Sequence, residues 1–230
     1  MTTRTLLLRL AGAQQAWGSR SRFATRGTER APTRSGVIGL LAAARGMDRT
    51  EPLDIFNELV FGVRIDQPGA IERDFQTART LDGSSSMPLS ERYFLADAVF
   101  LAGLQSDDDD LLSGLLAAVE RPRYPLFLGR RAFPPAGPVK AWIVDADIRT
   151  ALHEAAWQAS TKTQNSSVEV PALEILVDAR PGELVDQTLA DIPRSFDPRR
   201  RRHELRDVTR LRVDPSPRHD PMLLVSEEEV

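Results

Sequence analysis

The sequence predicts an α+β fold of the split βαβ, or ferredoxin-like, type carrying an inserted hairpin, and three observations lead there. Apolar runs of strand and helix character follow one another as strand, helix, strand, strand, helix, strand over residues 5–139. The stretch between the second and third strands is polar and rich in turn residues, so it reads as an insertion that projects from the body. The 230 residues are 41% hydrophobic and 27% charged, enough for one sizeable core.

Thr5 to Leu10 forms the first strand, and "AGAQQAWG" after it is a loop bounded by Gly12 and Gly18. Pro32-Thr33-Arg34-Ser35 is a helix start with Thr33 or Ser35 as the cap. The helix runs through Val37, Ile38, Leu40 and Leu41 to a stop at Gly46. Leu59 to Asp66 and Tyr93 to Leu104 read as the next two strands. Between them, two polar arms flank Asp82-Gly83-Ser84-Ser85-Ser86, which predicts a long projecting hairpin at about 66–94. Asp107 to Asp110, followed by Leu111, Leu112, Leu115, Leu116 and Val119, is a second amphipathic helix whose leading acids suit the helix dipole. A short strand and a Pro-rich turn are expected in Arg121 to Val139. Residues 140–230 are less regular: a helical stretch near His153, a polar linker Ser160 to Ser167, and strand-like runs at "VEVPALEILVDA" and "RHELRDVTRLRV". They read as a smaller β-rich C-terminal region ending in an acidic tail at Glu227 to Glu229.

The net charge is -3, which argues against a uniformly basic nucleic-acid coat, yet the charge is unevenly placed. Met1 to Arg34 holds seven arginines against Glu29, and Arg194 to Arg212 holds eight against Asp197, Glu204 and Asp207. Arginine supplies 28 of 30 basic residues, the others being Lys140 and Lys162. Absence of cysteine excludes a disulfide framework, a thiolate zinc site and a cysteine nucleophile, and fits a cytoplasmic setting. Arg9 interrupts the first apolar run, so a secretory signal is not expected, and no segment reaches the roughly 18 apolar residues of a membrane span.

Most chemical motifs fail on inspection. Gly36-Val37-Ile38-Gly39 matches a KH-type GXXG, but its apolar middle pair is better explained by helix packing. Phosphate-binding glycine loops are missing. Trp157 stands where a zinc protease would need its second histidine after His153, and Asp107 to Asp110 lacks the alternating ligands of a calcium loop. No metal, cofactor or catalytic residue is therefore expected. The stretch from Gly18 to Arg34 differs, because Arg20, Arg22, Arg26, Arg30 and Arg34 can pair with phosphates, Trp17 or Phe23 can stack a base, and a helix start favours an anion. The combination suits single-stranded nucleic acid; a solvated loop with Trp17 in the core is the competing reading.

"LLLRLAGAQQAWGSRSRF", "PTRSGVIGLLAAARG", "RDFQT", "ADAVFLAGL" and "RPRYPLFLGRRAFPPAGP", in that order from residue 6 to about 139, resemble the CasD family of type I-E CRISPR Cascade subunits. The resemblance implies a modified ferredoxin-like, RRM-like (RAMP) domain over residues 1–139 with a β-hairpin thumb, and an accessory region over 140–230. It also implies a noncatalytic subunit that holds the 5′ handle of crRNA and caps a complex, touching a CasC backbone subunit and the large CasA subunit, with target DNA met through the complex. By position in those motifs, Gln15, Trp17, Gly18, Arg20, Thr33, Arg34, Ser35 and Gly36 would face the handle. Thr77 and Arg79 would meet RNA on the thumb beyond Asp74-Phe75-Gln76, and Arg130 and Arg131, following the fourth strand, would grip phosphate. Arg199 to Arg202 match no motif of the family; they are open to RNA, the displaced DNA strand or only solvent, and His203 beside them suits phosphate contact or exposure better than catalysis. Related subunits of type I-C systems process repeat RNA, so a metal-independent endoribonuclease is the alternative, for which Tyr93, Tyr124, Lys140 and His153 are the plausible residue types.

Overall fold

Leu6, Leu8 and Leu10 point to one side of the first strand and Leu7 to the other, and all four are buried. Burial on both faces is what a central strand requires. In the computed structural model, which describes residues 3–18, 25–167 and 171–213, that strand is β1 (Arg4–Ala11), flanked by β7 (Val99–Ser106) and β8 (Lys140–Val144). With β4 (Val60–Gln67), β9 (Leu173–Asp178), β10 (Gln187–Ser195) and β11 (Arg202–Val213) it builds a seven-stranded sheet, in the order β10-β11-β9-β4-β7-β1-β8. Every neighbouring pair is antiparallel.

Helices cover both faces. Helices α1 (Arg34–Arg45) and α2 (Asp109–Glu120) bury Val37, Ile38, Leu41, Leu112 and Leu115 against Leu6, Leu8, Phe61, Phe100 and Leu104. The short α3 (Ile148–Glu154) closes the other face over Leu7, Leu101, Ile175 and Val177. Truncating one of these fully buried leucines to alanine would cost about 2–5 kcal/mol. Local signals set the helix ends: the Thr33 hydroxyl accepts from Gly36 N, Gly46 stops α1 at φ 78°, and Asp108 caps α2 by accepting from Leu111 N.

A second sheet forms the projecting hairpin. Its central strand β6 (Ser90–Ala96) pairs with β5 (Ala70–Gln76) on one side, and with β2 (Gln14–Gln15) and β3 (Thr25–Arg26) on the other. The expected single strand Tyr93 to Leu104 is therefore two strands. The chain breaks at Asp97, which adopts φ 53°, and Gly69 at φ 68° lets the opposite arm pass against Ala96 and Ala98. Gln67 pins this root by donating to the Asp97 carbonyl while its own oxygen accepts from Ser160 N and Thr163 Oγ1.

Other expectations shift as well. No strand lies within Arg121 to Val139, where Pro122, Pro125, Pro134, Pro135 and Pro138 remove ladder donors; the edge strand beside β1 is β8 instead. The boundary expected at residue 139 thus falls just ahead of a strand of the same sheet. The polar linker contains a short helix, α4 (Thr161–Ser166), capped by Ser160. Strands β9 to β11 continue the main sheet outward from β4, and β10, with Pro193 inside it, carried no clear strand pattern.

Candidate nucleic-acid interface

Helix α1 turns a face of small residues outward. Ser35, Gly36, Gly39 and Ala43 floor a groove of about 1050 Å³. On the flank toward α2, the segment Tyr124 to Arg131 forms the wall. It is tied to the helix end by Arg123 N donating to Ala44 O (2.8 Å) and Tyr124 N to Ala43 O (3.3 Å). Gly129, at φ 85°, allows that segment to press against the Ala16 carbonyl, a place with no room for a side chain. On the flank toward β10 stand Phe196, Arg201 and His203. Gly18 and Thr33 lie at one end, and Met47, Asp48 and Arg49 at the other.

Electrostatics favour an anion here. Arg49, Arg131 and Arg201 line the groove, with Asp48 the one carboxylate among the described lining residues. Hydrogen bonds from the Thr50 hydroxyl and backbone hold Asp48 below the usual carboxylate range. Partial burial, then the nearby Arg201, pushes His203 below the ordinary imidazole range, with Asp191 pulling weakly the other way. No carboxylate lies within 4 Å of Arg49, Arg131 or Arg201 among the described residues.

A second cationic cluster sits at the root of the hairpin. Arg130 Nη2 donates to Arg26 O (3.1 Å), and its guanidinium lies 5.6 Å from the centre of the Phe133 ring, which is itself backed by Phe94. Burial first, then the charges of Arg92 and Arg26, depress Arg130, against a small opposing pull from Asp74. Three like charges held this close are relieved by an anion. Consecutive residues Arg130 and Arg131 thus serve two places, one on each side of the same loop.

The structure divides the sequence-predicted residues. Gly18, Ser35, Gly36 and Arg131 line the groove; Arg26 and Arg130 meet at the hairpin root; Arg30 is exposed between Glu29 and the helix; Thr77 and Arg79 are exposed on the hairpin, where Arg79 bridges to Ser86. Arg20, Arg22 and Phe23 lie outside the described residues.

Four assignments are corrected. Trp17 is 1% exposed, so it has no ring face for a base: its indole N–H donates to Gln15 Oε1 (3.1 Å), and a side chain on Gly36 would meet its ring at 2.6 Å. Gln15 is equally enclosed and spends its amide on Ala98 O (2.7 Å). The Thr33 hydroxyl is consumed as the cap of α1. Arg34 is 6% exposed, with its guanidinium on Asp178 (3.1 Å), Phe56 O (3.1 Å) and Asn57 O (3.3 Å), while its backbone N–H donates to Asp191 Oδ2 (2.8 Å). The anion at this helix start is therefore the protein's own Asp191. Arg206 completes the knot with two 2.8 Å bonds to Asp191 and one of 2.9 Å to Asp178. Arg130 and Arg131 also precede the fourth strand of the β1 group, β8, instead of following it.

Arg49, Arg92 and Asp191 were not foreseen; each is a single charged residue in an unremarkable context. Tyr93, Tyr124, Lys140 and His153 remain scattered over β6, the α2 flank of the groove, β8 and α3, the last on the opposite face of the sheet from α1. Among the described residues, no group of three or more histidines, aspartates or glutamates could hold a metal, and no helix is long and apolar enough to cross a membrane.

The family model described as CRISPR-associated protein (Cas_Cas5) matches residues 5–209. The CRISPR system Cascade subunit CasD of Escherichia coli strain K12 is 36% identical over 153 residues, 58% of this chain and 68% of that protein. A solved structure described as a Cas protein superimposes with a TM-score of 0.71 at 34% identity, covering 93% of this chain and 98% of its own. A chain from a CRISPR RNA-guided surveillance complex does so with a TM-score of 0.71 at 31% identity, covering 97% and 98%. With the family model spanning most of the sequence and solved relatives matching nearly all of the fold, the chain belongs to the CRISPR-associated Cas5 family.

Proposed function

We propose that this protein is a noncatalytic, CasD-type subunit of a type I-E Cascade surveillance complex. It holds the 5′ handle of crRNA, caps the backbone and so supports antiviral DNA targeting in the cytoplasm. The observation that carries this reading is the groove on α1, where an open floor of small residues lies between cationic flanks and continues, across the Gly129 loop, to the Arg26, Arg92 and Arg130 cluster. A single strand fits such a path because its phosphates can follow guanidiniums set on both sides of one loop.

The strand order β8-β1-β7-β4, with α1 after β1 and α2 after β7, supports the modified ferredoxin-like, RRM-like (RAMP) reading of the domain. Gly18, Ser35, Gly36 and Arg131 take the handle in the groove. Arg26 and Arg130 take it at the hairpin root, Arg30 from the exposed segment ahead of α1, and Thr77 and Arg79 meet RNA where the thumb approaches a CasC backbone subunit. CasA is the other protein neighbour, and target DNA is met through the complex.

The test incubates the protein with end-labelled repeat RNA in EDTA and scores binding and cleavage together, beside His153→Ala. Binding without cutting is the expected result. Site-specific cutting that His153→Ala abolishes would replace this reading with that of a metal-independent repeat endoribonuclease.

A further inference from the structure

The turn between β10 and β11 carries Arg199, Arg200 and Arg201 in succession, and Arg202 and His203 open β11 directly after it. Its placement is specific. Strand β10 runs alongside α1, with Asp191 capping the helix start and Phe196 lying over the middle of the helix, where a side chain on Gly39 would meet the Phe196 ring at 3.7 Å. The β10–β11 turn is thereby held at the groove edge by the Arg206–Asp191 pair below and the Phe196 contact above. Arg201 and His203 reach the groove from this side, whereas Arg131 and Tyr124 reach it from the other.

We propose that the β10–β11 turn is the second jaw of the groove, with Arg201 and His203 binding phosphate of the strand whose opposite side is held by Arg131. This rests on the RNA-binding reading above and adds a binding element from the C-terminal strands. Two features set this jaw apart from a merely solvated arginine run. Arg201 lines the same open groove as Arg131, so one phosphodiester segment can be gripped from both flanks. His203 also makes the grip proton-linked. Arg201 and Asp191 are the charges that act on the ring, and Asp48, Arg49 and Arg131 share the groove with it. Lost solvation and Arg201 push the ring toward its neutral form. A phosphate beside it favours the imidazolium, so binding takes up a proton and strengthens as pH falls.

The experiment measures the affinity of full-length protein for repeat RNA against salt and pH, for wild type, Arg131→Ala, Arg201→Ala and His203→Gln, with a denaturation midpoint for each. The jaw requires that Arg201→Ala weaken binding about tenfold and flatten the slope of log K against log salt by about 0.7, as Arg131→Ala does, with an unchanged midpoint. It also requires wild-type affinity to rise several-fold from about pH 7.5 to about pH 5.5, and His203→Gln to abolish that rise. If Arg131→Ala weakens binding but Arg201→Ala leaves affinity and salt slope unchanged, the jaw is overturned while the groove stands. A wild type that binds no RNA overturns the RNA-binding reading and the jaw with it.

Discussion

Two sets of arginines in this molecule share a side chain and differ in everything else. At the seam between α1 and the β10–β11 strands, Arg34 and Arg206 are buried and interlocked with Asp178 and Asp191, and on the other face Arg64 is fully buried against Asp66, with further bonds to the carbonyls of Leu152, Ala155 and Ala156. In the groove and at the hairpin root, Arg131, Arg201, Arg26 and Arg130 have no carboxylate within 4 Å among the described residues. Arg34 and Arg206 join C-terminal strands to the helix that floors the groove, and Arg64 ties β4 to the end of α3. The second set leaves its charge for a ligand. Local density of arginine in the sequence does not separate them; the carboxylates that the fold delivers do.

The largest effect should come from breaking the first set. Arg206→Ala leaves Asp191 buried with one partner removed, so we expect a loss of about 3–5 kcal/mol in urea denaturation. Trp17→Ala should cost a comparable amount, about 3–5 kcal/mol, because it empties the space beneath Gly36; a near-neutral result would return Trp17 to the list of base-stacking residues. Gly36→Ala is expected to be milder, about 1–3 kcal/mol, since the added carbon overpacks the indole. Arg131→Ala belongs to the other set, and its midpoint should move by no more than about 0.5 kcal/mol while RNA binding falls.

A paired surface arginine gives the smallest and most pH-specific signal. Arg149 grips Glu183 through both oxygens and, with the Arg180 N–H, lowers its carboxyl to about 2. The folded value lies below the unfolded one near 4.5, so this stabilisation is complete above that value and fades as pH falls toward about 2. Comparing wild type with Glu183→Gln across that window should show the gap between their midpoints closing as acid is added.

Much of the frame was legible because its causes are local. The Gly46 stop, the acids that open the second helix and the Leu-rich first strand each depend on a few adjacent residues and are where the sequence suggested, and Thr33 is the cap of the two the sequence offered. The break at Asp97 was hidden, since apolar residues on both sides continue without a glycine or proline to mark it. The site was legible only in part. Gly18, Ser35, Gly36 and Arg131 do meet at one groove, but Arg34 was misread because its partners, Asp178 and Asp191, lie 144 and 157 residues away. Long-range pairing of that kind leaves no mark on the neighbouring sequence. The same distance concealed the β10–β11 turn, which joins the groove only because β10 runs beside α1.

The central proposal is that the arginines without an internal carboxylate partner are the ones that hold RNA. Its most direct measurement is the salt dependence of repeat-RNA affinity for wild type and the double variant Arg130→Ala/Arg131→Ala, with the denaturation midpoint taken alongside. Two lost phosphate contacts should flatten the slope of log K against log salt by about 1.4, with stability lowered only by the lost Arg130 contacts to Arg26 O and Phe133, about 1 kcal/mol. An unchanged slope, with affinity and midpoint both at wild-type values, would contradict the claim.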